Sequence, residues 1–394
     1  MIPSRRLAFN TAFTREHHEA FLARLDRVTG MQIGFRISET PLFLPATLEA
    51  RCFEASKDLL RQLVTPAALA RSAAAVPRNM RTDDAGAFPA FAQIDFAVTR
   101  DADGKTDVRL IELQGFPSLY AFQETLGRLC LEHHALQGLR HLAPGLTHEQ
   151  YVNALRRIIL GGHDPESVVL LDVDPIHQTT RPDFLLTERW LGIETVDISA
   201  IEKSDRTLFY RSRDGRLRPV QRIYNRAVPD EIARRRIPMR FSFADELDVE
   251  WVCHPSWFYR ISKHALPALR HETVPVARFL DDFDTLPPNL DDYVLKPLYG
   301  FAGVGVVVAP TASQIGAIPR ADRGNFVLQE RITYVPVIDT PVGGVSAELR
   351  VMVLWENEPK PVMLLVRTGT GTMMGASWNA SMAWTGATCG LVED

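Results

Sequence analysis

Hydrophobic residues recur at helical spacing in three segments between residues 15 and 80, and Gly or Pro closes each segment. This spacing predicts amphipathic helices in HHEAFLARLDRVTG, TLEARCFEASKDLLRQLV and AALARSAAAV. The pattern then changes to β-type runs in FAQIDFAVTR and VRLIELQG, which flank the Asp- and Gly-bearing turn DADGK. Two such runs around a turn of this composition predict a β-hairpin.

Residues 119–160 return to a helical pattern, and strand-like and helix-like runs alternate after them. The runs are VVLLDVD, DFLLTERWLG, ETVDIS, LFYRS and QRIYNR, which predict an open α/β domain of roughly 95 residues. After a helical stretch, FYRISKHALPAL, the runs DYVLKPL, VVVA, NFVLQERI, SAELRVMVLW and KPVMLLVRTG predict mostly antiparallel sheet. We therefore expect three domains, covering residues 1–160, 161–262 and 263–394.

Composition narrows the class of protein. With 394 residues, of which 46% are hydrophobic, the chain can bury about two or three packed cores. Its 44 basic and 48 acidic residues give a net charge of −4, which provides no electrostatic reason to expect a nucleic acid or an anionic membrane as partner. The four cysteines contain no CxxC pair, and no apolar leader or membrane span is apparent, so we expect reduced thiols and a cytoplasmic protein.

The first chemical signal is a lysine at the end of a predicted strand. Lys296 in DYVLKPL is followed by Gly300, Gly303 and Gly305 and then by a second strand. Such a lysine can direct its ammonium group at phosphate oxygens while N–H groups of the glycine turn close over them. The pattern predicts a nucleotide triphosphate site, although a surface hairpin with a solvated lysine would give the same pattern. No GK[ST] follows, so this is not a Walker P-loop.

The second signal lies on the predicted hairpin. Glu112 and Gln114 in IELQG are two positions apart and therefore share one face of their strand, and Asp95 lies on the partner strand. Two carboxylates and an amide oxygen suit magnesium, which prefers oxygen ligands. The alternative interpretation is an exposed polar face.

The third signal is a group of charged residues in the last two predicted strands. Glu348 and Arg350 lie in AELRVMVLW, and Arg367 ends VMLLVR. A guanidinium group can bind phosphate or carboxylate through paired hydrogen bonds and can stabilise charge on a transferred phosphoryl group. The same residues could instead form cross-strand salt bridges.

Taken together, these segments resemble the ATP-grasp superfamily. Lys263 in RISKHALPAL matches its first nucleotide lysine, VPVARF its connecting segment, and VLKPLYGFAGVGV its second lysine and glycine-rich flap. NFVLQERI, with Gln329, Glu330 and Ile332, is similar to the hinge that passes adenine. AELRVMVLW and LLVR are similar to the strands that carry the triphosphate arginines.

The hairpin that would supply metal ligands at the end of an ordinary member lies near the start here, as QIDFAVTRDADGKTDVRLIELQG. The chain thus resembles a circularly permuted ATP-grasp protein, similar in order to glutathionylspermidine synthase and eukaryotic-type glutathione synthetase. This implies an α/β (α+β) fold with a pre-ATP-grasp open α/β domain. The sequence departs at Gln114, where the family usually has Asn, and at Gly300, where the glutathione synthetase relatives carry an acidic ligand.

The resemblance implies an ATP- and magnesium-dependent ligase that joins a carboxylate to an amine or a thiol through an acyl phosphate. The implied roles are phosphate binding by Lys263 and Lys296, magnesium binding by Asp95, Glu112 and Gln114, and stabilisation of the phosphoryl group by Arg350 and Arg367. Two alternatives stay open, an ATP-dependent small-molecule kinase and a non-catalytic nucleotide-binding module. The expected partners are a small-molecule or peptide carboxylate and an amine acceptor. The expected assembly is a homodimer.

The α/β segment would then contribute to the substrate pocket. Ligands of open α/β sheets bind at the carboxyl ends of the strands. The candidates there are Asp174, His177 and Arg181 after the first strand and Tyr224, Asn225 and Arg226 at the end of QRIYNR. Ordinary loop and capping roles are the alternative for each of them.

Overall fold

The computed structural model describes residues 1–82, 85–299, 303–371, 374 and 381–393. Its α-helices are α1 Pro3–Ala12, α2 Arg15–Thr29, α3 Ala46–Leu63, α4 Pro66–Ala75, α5 Tyr120–His133, α6 His148–Leu160, α7 Arg181–Leu191, α8 Pro229–Arg235, α9 Ser256–Arg260 and α10 Ala312–Gly316. Short 3-10 helices span Arg78–Met80, Pro165–Ser167, Ile198–Ala200, Lys263–Ala268, Leu280–Asp282, Leu290–Asp292 and Arg320–Asn325.

The strands form four sheets. In chain order they are β1 Leu42–Leu44, β2 Phe91–Arg100, β3 Thr106–Gln114, β4 Leu139–Arg140, β5 Val168–Asp172, β6 Glu194–Asp197, β7 Glu202–Ser204, β8 Thr207–Arg211, β9 Leu217–Val220, β10 Arg222–Asn225, β11 Glu250–Val252, β12 Ala277–Phe279, β13 Tyr293–Pro297, β14 Val307–Val308, β15 Phe326–Glu330, β16 Pro336–Thr340, β17 Gly343–Trp355, β18 Pro359–Gly369 and β19 Gly386–Glu393.

The predicted helices near the start of the chain are confirmed as α2, α3 and α4. Local signals fix the ends of α2. The Thr14 side chain accepts from the N–H of His17, and Gly30 ends the helix with φ of 85°, a left-handed value that glycine adopts without a steric penalty. The helix α3 buries residues such as Leu59 and Leu60, because its apolar positions recur on one face.

The largest sheet has the order β1-β19-β18-β17-β2-β3, with β16 beside β17 and β4 beside β19. The predicted β2–β3 hairpin is confirmed as an antiparallel pair, and β2 also pairs antiparallel with β17. A hairpin from the first third of the chain therefore lies beside strands from its last third. Two core clusters cover the two faces of this sheet, one containing Ile94 and Val351 and the other Phe91 and Met352.

The α/β segment forms a parallel sheet of order β11-β10-β5-β6, as the alternating pattern indicates. The helix α7 connects β5 to β6, and β7, β8 and β9 form a separate antiparallel sheet. The remaining sheet has the order β12-β15-β13-β14 and is antiparallel, as predicted for the last third of the chain.

The molecule is thus a mixed α/β fold with several sheets. The predicted domain boundaries and the circularly permuted order stay predictions. Several strands have no counterpart in the sequence-based expectations. Among them, β1 and β19 pair in parallel, so that segments near the two ends of the chain meet in the largest sheet. No helix in the described part of the chain is long and apolar enough to cross a membrane.

Candidate functional site

One face of the largest sheet changes from apolar to charged along its strands. On β2 the side chains of Phe91 and Asp95 share this face, and on β17 those of Leu354 and Arg350 do, because side chains an even number of positions apart lie on the same side of a strand. Phe91 and Leu354 belong to the same buried core cluster. The charged side chains therefore continue a core face of the sheet, and core packing holds their strands in place. We call them the charged group, which comprises Asp95, Glu112, Glu348, Arg350 and Arg367 with the adjoining Lys263 and Lys296.

Strand register places the charged residues directly opposite one another. Asp95 of β2 is opposite Arg350 of β17 on one side and Glu112 of β3 on the other. Glu348 of β17 is opposite Arg367 of β18. Side chains opposite each other in an antiparallel pair are close enough to interact. The sequence-based alternative of cross-strand salt bridges thus describes the contacts made by Arg350 and Arg367.

Asp95 is held by both arginines. Arg350 binds it through two parallel bonds, Nε to Oδ1 and Nη2 to Oδ2, each 2.6 Å long, and Arg367 Nη2 also donates to Oδ2. Asp95 is only 1% exposed. Burial acts to raise its pKa, but the two guanidinium groups outweigh burial, and the pKa of Asp95 lies below its usual value. Asp95 is therefore a buried carboxylate, and the exposed polar face does not describe it.

Glu348 accepts from the same nitrogen of Arg367 as Asp95 does. It accepts from Arg367 Nη2, and the Tyr334 hydroxyl donates to its second oxygen at 3.0 Å. Burial raises the pKa of Glu348, although Arg367 opposes this effect. Arg367 Nε is buried and has no hydrogen-bond partner among the described residues. This guanidinium therefore retains a donor for a further acceptor.

Glu112 is the most accessible carboxylate of the group, with 29% of its side chain exposed. Its Oε2 lies 3.3 Å from Lys263 Nζ. Burial acts to raise the pKa of Glu112, but Lys263, followed by Lys296 and Arg350, lowers it below the usual value. Glu112 is therefore ionised and faces two lysines.

Lys296 lies against a bulge in β3. Asp95 is opposite Glu112 but Phe96 is opposite Leu110, so Ile111 is the extra residue of the bulge. Lys296 Nζ donates to the Ile111 carbonyl at 3.0 Å. Lys296 is 7% exposed, so the interpretation as a solvated surface lysine is wrong, and burial lowers its pKa to about 8.

The predicted hinge lies on β15 and just after it. Gln329 is buried, and its Nε2 donates to the Leu110 carbonyl at 3.4 Å, while its Oε1 has no hydrogen-bond partner among the described residues. Glu330 is exposed and exchanges hydrogen bonds with the backbone of Val276. Ile332 is half-buried and follows the strand. Of these three residues, Gln329 is the one that turns toward the β3 bulge.

The glycine turn after Lys296 is described only in part, because Gly300 lies outside the described residues. Gly303 and Gly305 have φ of 76° and 77°, in the left-handed region that other residues rarely adopt. A Cβ atom at Gly305 would also lie 3.1 Å from Pro297 Cγ. Both glycines are therefore required by the turn, and Val304 between them is exposed.

Of the predicted substrate residues, those after β5 lie at the surface. The His177 side chain is 79% exposed and its Nδ1 lies 2.7 Å from Asp174. Arg181 begins α7 and donates to the Ile176 carbonyl at 3.1 Å. These contacts are local ones, and the assignment of His177 and Arg181 to substrate binding stays a prediction.

The residues at the end of β10 are buried. Arg226 Nη1 binds Asp183 Oδ2 at 2.6 Å, and its guanidinium lies 4.9 Å from the Phe184 ring centroid. Tyr224 packs in the second core cluster, and Asn225 Nδ2 donates to a backbone carbonyl at 3.3 Å. These contacts favour structural roles for Tyr224 and Arg226 over direct binding of substrate, which stays a prediction.

Two residues of the charged group were not singled out from the sequence. Gln93 accepts from Arg350 Nη1 at 3.1 Å and lies 2.6 Å from the Gln114 amide. Its position two residues before Asp95 is a signal that alternation along β2 could have revealed. Tyr334 lies in an irregular segment, so no periodicity points to its contact with Glu348.

A cavity of about 430 Å³ lies away from this group, beneath the turn between β17 and β18. Exposed ion pairs border it, Arg157 with Glu356 and Arg61 with Glu358. Its floor is apolar and includes Leu354 and Val362 of the second core cluster. We do not assign the chemistry to this cavity, because the lysines and the arginines of the charged group lie elsewhere.

In the described part of the chain, no three or more His, Cys, Asp and Glu side chains are arranged to hold a metal ion. The predicted set contains two carboxylates and one amide, and Asp95 already has guanidinium donors on both oxygens. Glu112, by contrast, has a partly exposed side chain. The contacts therefore favour Glu112 over Asp95 as a metal ligand, and the magnesium set stays a prediction.

Comparison with known proteins identifies the fold. A glutathione synthetase-like effector from Globodera pallida, GSS30 in its apo form, matches the chain with a TM-score of 0.61. The match covers 96% of both chains at 11% sequence identity. The chain has a glutathione synthetase-like fold. No protein-family model and no curated protein sequence matches it, so the likeness is one of fold.

Proposed function

We propose that the chain is an ATP- and magnesium-dependent ligase of the ATP-grasp type, which activates a carboxylate for attack by an amine or a thiol. The observation that carries this proposal is the convergence of four cationic side chains on one charged face beside a bulged strand. They are Lys263, Lys296, Arg350 and Arg367. The glutathione synthetase-like fold supports the same class.

The donors and acceptors in this group fit a nucleotide. Arg367 Nε is a buried donor that lacks a partner in the described part of the chain, and Gln329 Oε1 is a buried acceptor in the same condition. A buried polar atom without a partner is unfavourable, and a ligand that pairs with it removes that penalty. A phosphate oxygen would suit Arg367, and an adenine amino group would suit Gln329.

The acceptors also fit one magnesium ion. Glu112 offers a partly exposed carboxylate, and Gln114 on the same strand face offers an amide. When bound, magnesium would neutralise charge on the β- and γ-phosphates. Lys263, which lies beside Glu112, and Lys296 would neutralise phosphate charge directly. The turn that contains Gly303 and Gly305 would exclude water above them.

The arginines would act on the transferred group. Arg350 and Arg367 would stabilise the charge that develops on the γ-phosphoryl group as the substrate carboxylate attacks it. The resulting acyl phosphate would react with an amine or thiol and release phosphate. Because both guanidinium groups are already fixed by Asp95, little reorganisation would be needed during the reaction.

A second candidate is a nucleotide-binding module without catalysis. It is favoured by one observation, the binding of both Asp95 oxygens by arginines, which leaves the partly exposed Glu112 as the most accessible carboxylate of the group. Such a protein would bind ATP through the same lysines but release no phosphate.

Product analysis tests the proposal. Purified protein is incubated with ATP, magnesium and panels of carboxylic acids and amines or thiols, and ADP, phosphate and the coupled product are measured. We expect phosphate release that requires both acid and nucleophile, and hydroxylamine should trap the activated acid as a hydroxamate. Loss of a charge-stabilising donor should lower the rate about 100-fold in Arg350→Met, whereas the exposed control Arg157→Met should keep it.

The other outcomes separate the alternatives. A phosphorylated acid that accumulates without nucleophile would indicate a kinase. ATP binding without any turnover across the panels would favour the non-catalytic module.

A further inference from the structure

Asp95 is the residue whose contacts depart most from the expected metal site. Its two oxygens receive three guanidinium hydrogen bonds, two from Arg350 and one from Arg367. A bidentate arginine–carboxylate pair is among the strongest side-chain interactions, and it leaves a carboxylate little capacity for a metal. Oδ1 accepts one of these bonds and Oδ2 the other two, so Asp95 offers a metal at most one lone pair, directly beside two guanidinium cations.

The surroundings of Asp95 reinforce the same arrangement. Gln93, on the same face of β2, accepts from Arg350 Nη1 at 3.1 Å. One terminal atom of the Gln114 side-chain amide lies 3.0 Å from Arg350 Nη1 and 2.6 Å from Gln93 Oε1. The Arg367 Nη2 that donates to Asp95 also donates to Glu348. The two arginines are thus fixed by a network in which Asp95 is the shared centre.

Glu112 has a different environment. It lies opposite Asp95 in the β2–β3 ladder, yet its carboxylate is partly exposed and its close ion-pair partner is a lysine rather than a guanidinium fork. A single 3.3 Å contact with Lys263 Nζ is weaker than the paired bonds on Asp95. Glu112 is therefore the carboxylate of this group that can exchange its partner for a cation.

We propose that Asp95 is a positioning residue that holds Arg350 and Arg367 toward the phosphoryl group, and that Glu112 supplies the only carboxylate ligand of the divalent cation from this hairpin. This assignment rests on the proposed function. Asp95 and Glu112 thus have different roles, although both are carboxylates of the kind that bind metal ions.

The test begins without nucleotide. Thermal unfolding of wild type, Asp95→Asn, Arg350→Met and the double variant forms a double-mutant cycle. Each single variant should lower the melting temperature, and the double variant should fall no further than the lower single variant, because both changes remove one interaction. A double variant that falls by the sum of the two single effects would overturn the pairing of Asp95 with Arg350.

The second measurement separates positioning from metal binding. Affinity for ATP is measured by calorimetry across a series of Mg²⁺ concentrations. Asp95→Asn should weaken ATP binding but should shift the Mg²⁺ concentration for half-maximal effect much less than Glu112→Gln does, because it removes no ligand. Glu112→Gln should raise that concentration by at least about tenfold, since a direct ligand is lost and even substitution of outer-shell partners typically costs about 10- to 100-fold in metal affinity.

The failures are distinguishable. An Asp95→Asn variant that raises the Mg²⁺ requirement as much as Glu112→Gln would overturn this assignment while the nucleotide site stands. A wild-type protein that is folded but binds no ATP would overturn the proposed function and this assignment with it.

Discussion

Two buried Arg–Asp pairs in this molecule have the same chemistry but different surroundings. Arg226 and Asp183 meet at 2.6 Å, and both side chains are almost fully buried. Arg350 and Asp95 meet at the same distance, and Asp95 is equally buried. The first pair joins the parallel sheet to two helices, whereas the second lies within the charged face of the largest sheet.

The difference lies in what surrounds each pair. Asp183 Oδ1 accepts from the backbone N–H groups of Ala121 and Phe122 at the start of α5, at 2.8 and 3.0 Å, and aromatic rings lie against Arg226. Asp95 is surrounded instead by further side-chain charges that a ligand can engage. An ion pair completed by backbone and aromatic groups stabilises the fold, and one within a group of charges can serve a site.

The contacts of Arg226 also connect the parallel sheet to the segment that follows β3 of the charged group. Its guanidinium lies 5.7 Å from the ring centroid of Phe116, which follows Gln114 by two positions. Asp183 fixes the start of α5 just beyond that segment. The Arg226–Asp183 pair therefore anchors the chain that leaves β3.

The largest expected effect is on this anchor. Asp183→Ala removes the partner of a buried cation and the oxygen that accepts from two N–H groups at the start of α5, so the free energy of unfolding should fall by about 3–5 kcal/mol. Urea unfolding measures the change. Arg157→Ala, which removes the exposed pair with Glu356, is the control and should change stability by less than about 1 kcal/mol. Equal losses in both variants would remove the distinction between an anchor and a surface pair.

A smaller effect is expected from the pH dependence of the charged group. The pKa of Lys296 lies near 8, below its ordinary value, because the ammonium is buried. Above that pH the free protein must take up a proton when Lys296 binds phosphate as a cation, so ATP affinity should fall by about tenfold per pH unit. The free energy of unfolding should instead rise with pH in the range between the pKa of folded Lys296 and the ordinary lysine value. Over this range the unfolded lysine binds more protons than the folded one.

Lys296→Arg sharpens this test, because arginine keeps its charge to higher pH. Calorimetric titration with ATP from pH 7 to pH 9.5 should show the fall in wild type and a much flatter profile in the variant. The same slope in both proteins would assign the pH dependence to another group.

Alternation of residues along the strands predicted much of the charged group. The β2–β3 hairpin brings Asp95, Glu112 and Gln114 together as expected, and Lys263 and Lys296 lie beside them. Asp95, Glu112 and Gln114 were accessible to sequence reasoning because side-chain direction in a strand follows from position alone. Lys296 was found from the glycine turn that follows it, and Lys263, which begins a 3-10 helix, from the family resemblance. Gln93 obeys the same rule and could have been found in that way.

The remaining features depend on tertiary contacts that no local pattern encodes. Register between strands from distant parts of the chain places Arg350 opposite Asp95, 255 positions away in sequence. The same is true of Tyr334, which reaches Glu348 from an irregular segment, and of the parallel pairing of β1 with β19. The residues at the end of β10 show the converse, since a position typical of ligand binding is used to anchor a helix.

The most direct test of the account is a titration of the folded protein with ATP, with and without Mg²⁺, followed by its unfolding free energy. Wild type should gain about 2.7 kcal/mol at a ligand concentration 100 times Kd. Lys296→Ala should lose this Mg²⁺-dependent gain, and Lys360→Ala, which alters an exposed lysine at the opposite end of β18 from Arg367, should retain it. A folded wild-type protein that gains nothing from ATP, or a Lys296→Ala variant that gains as much as wild type, would contradict the assignment of the charged face as a nucleotide site.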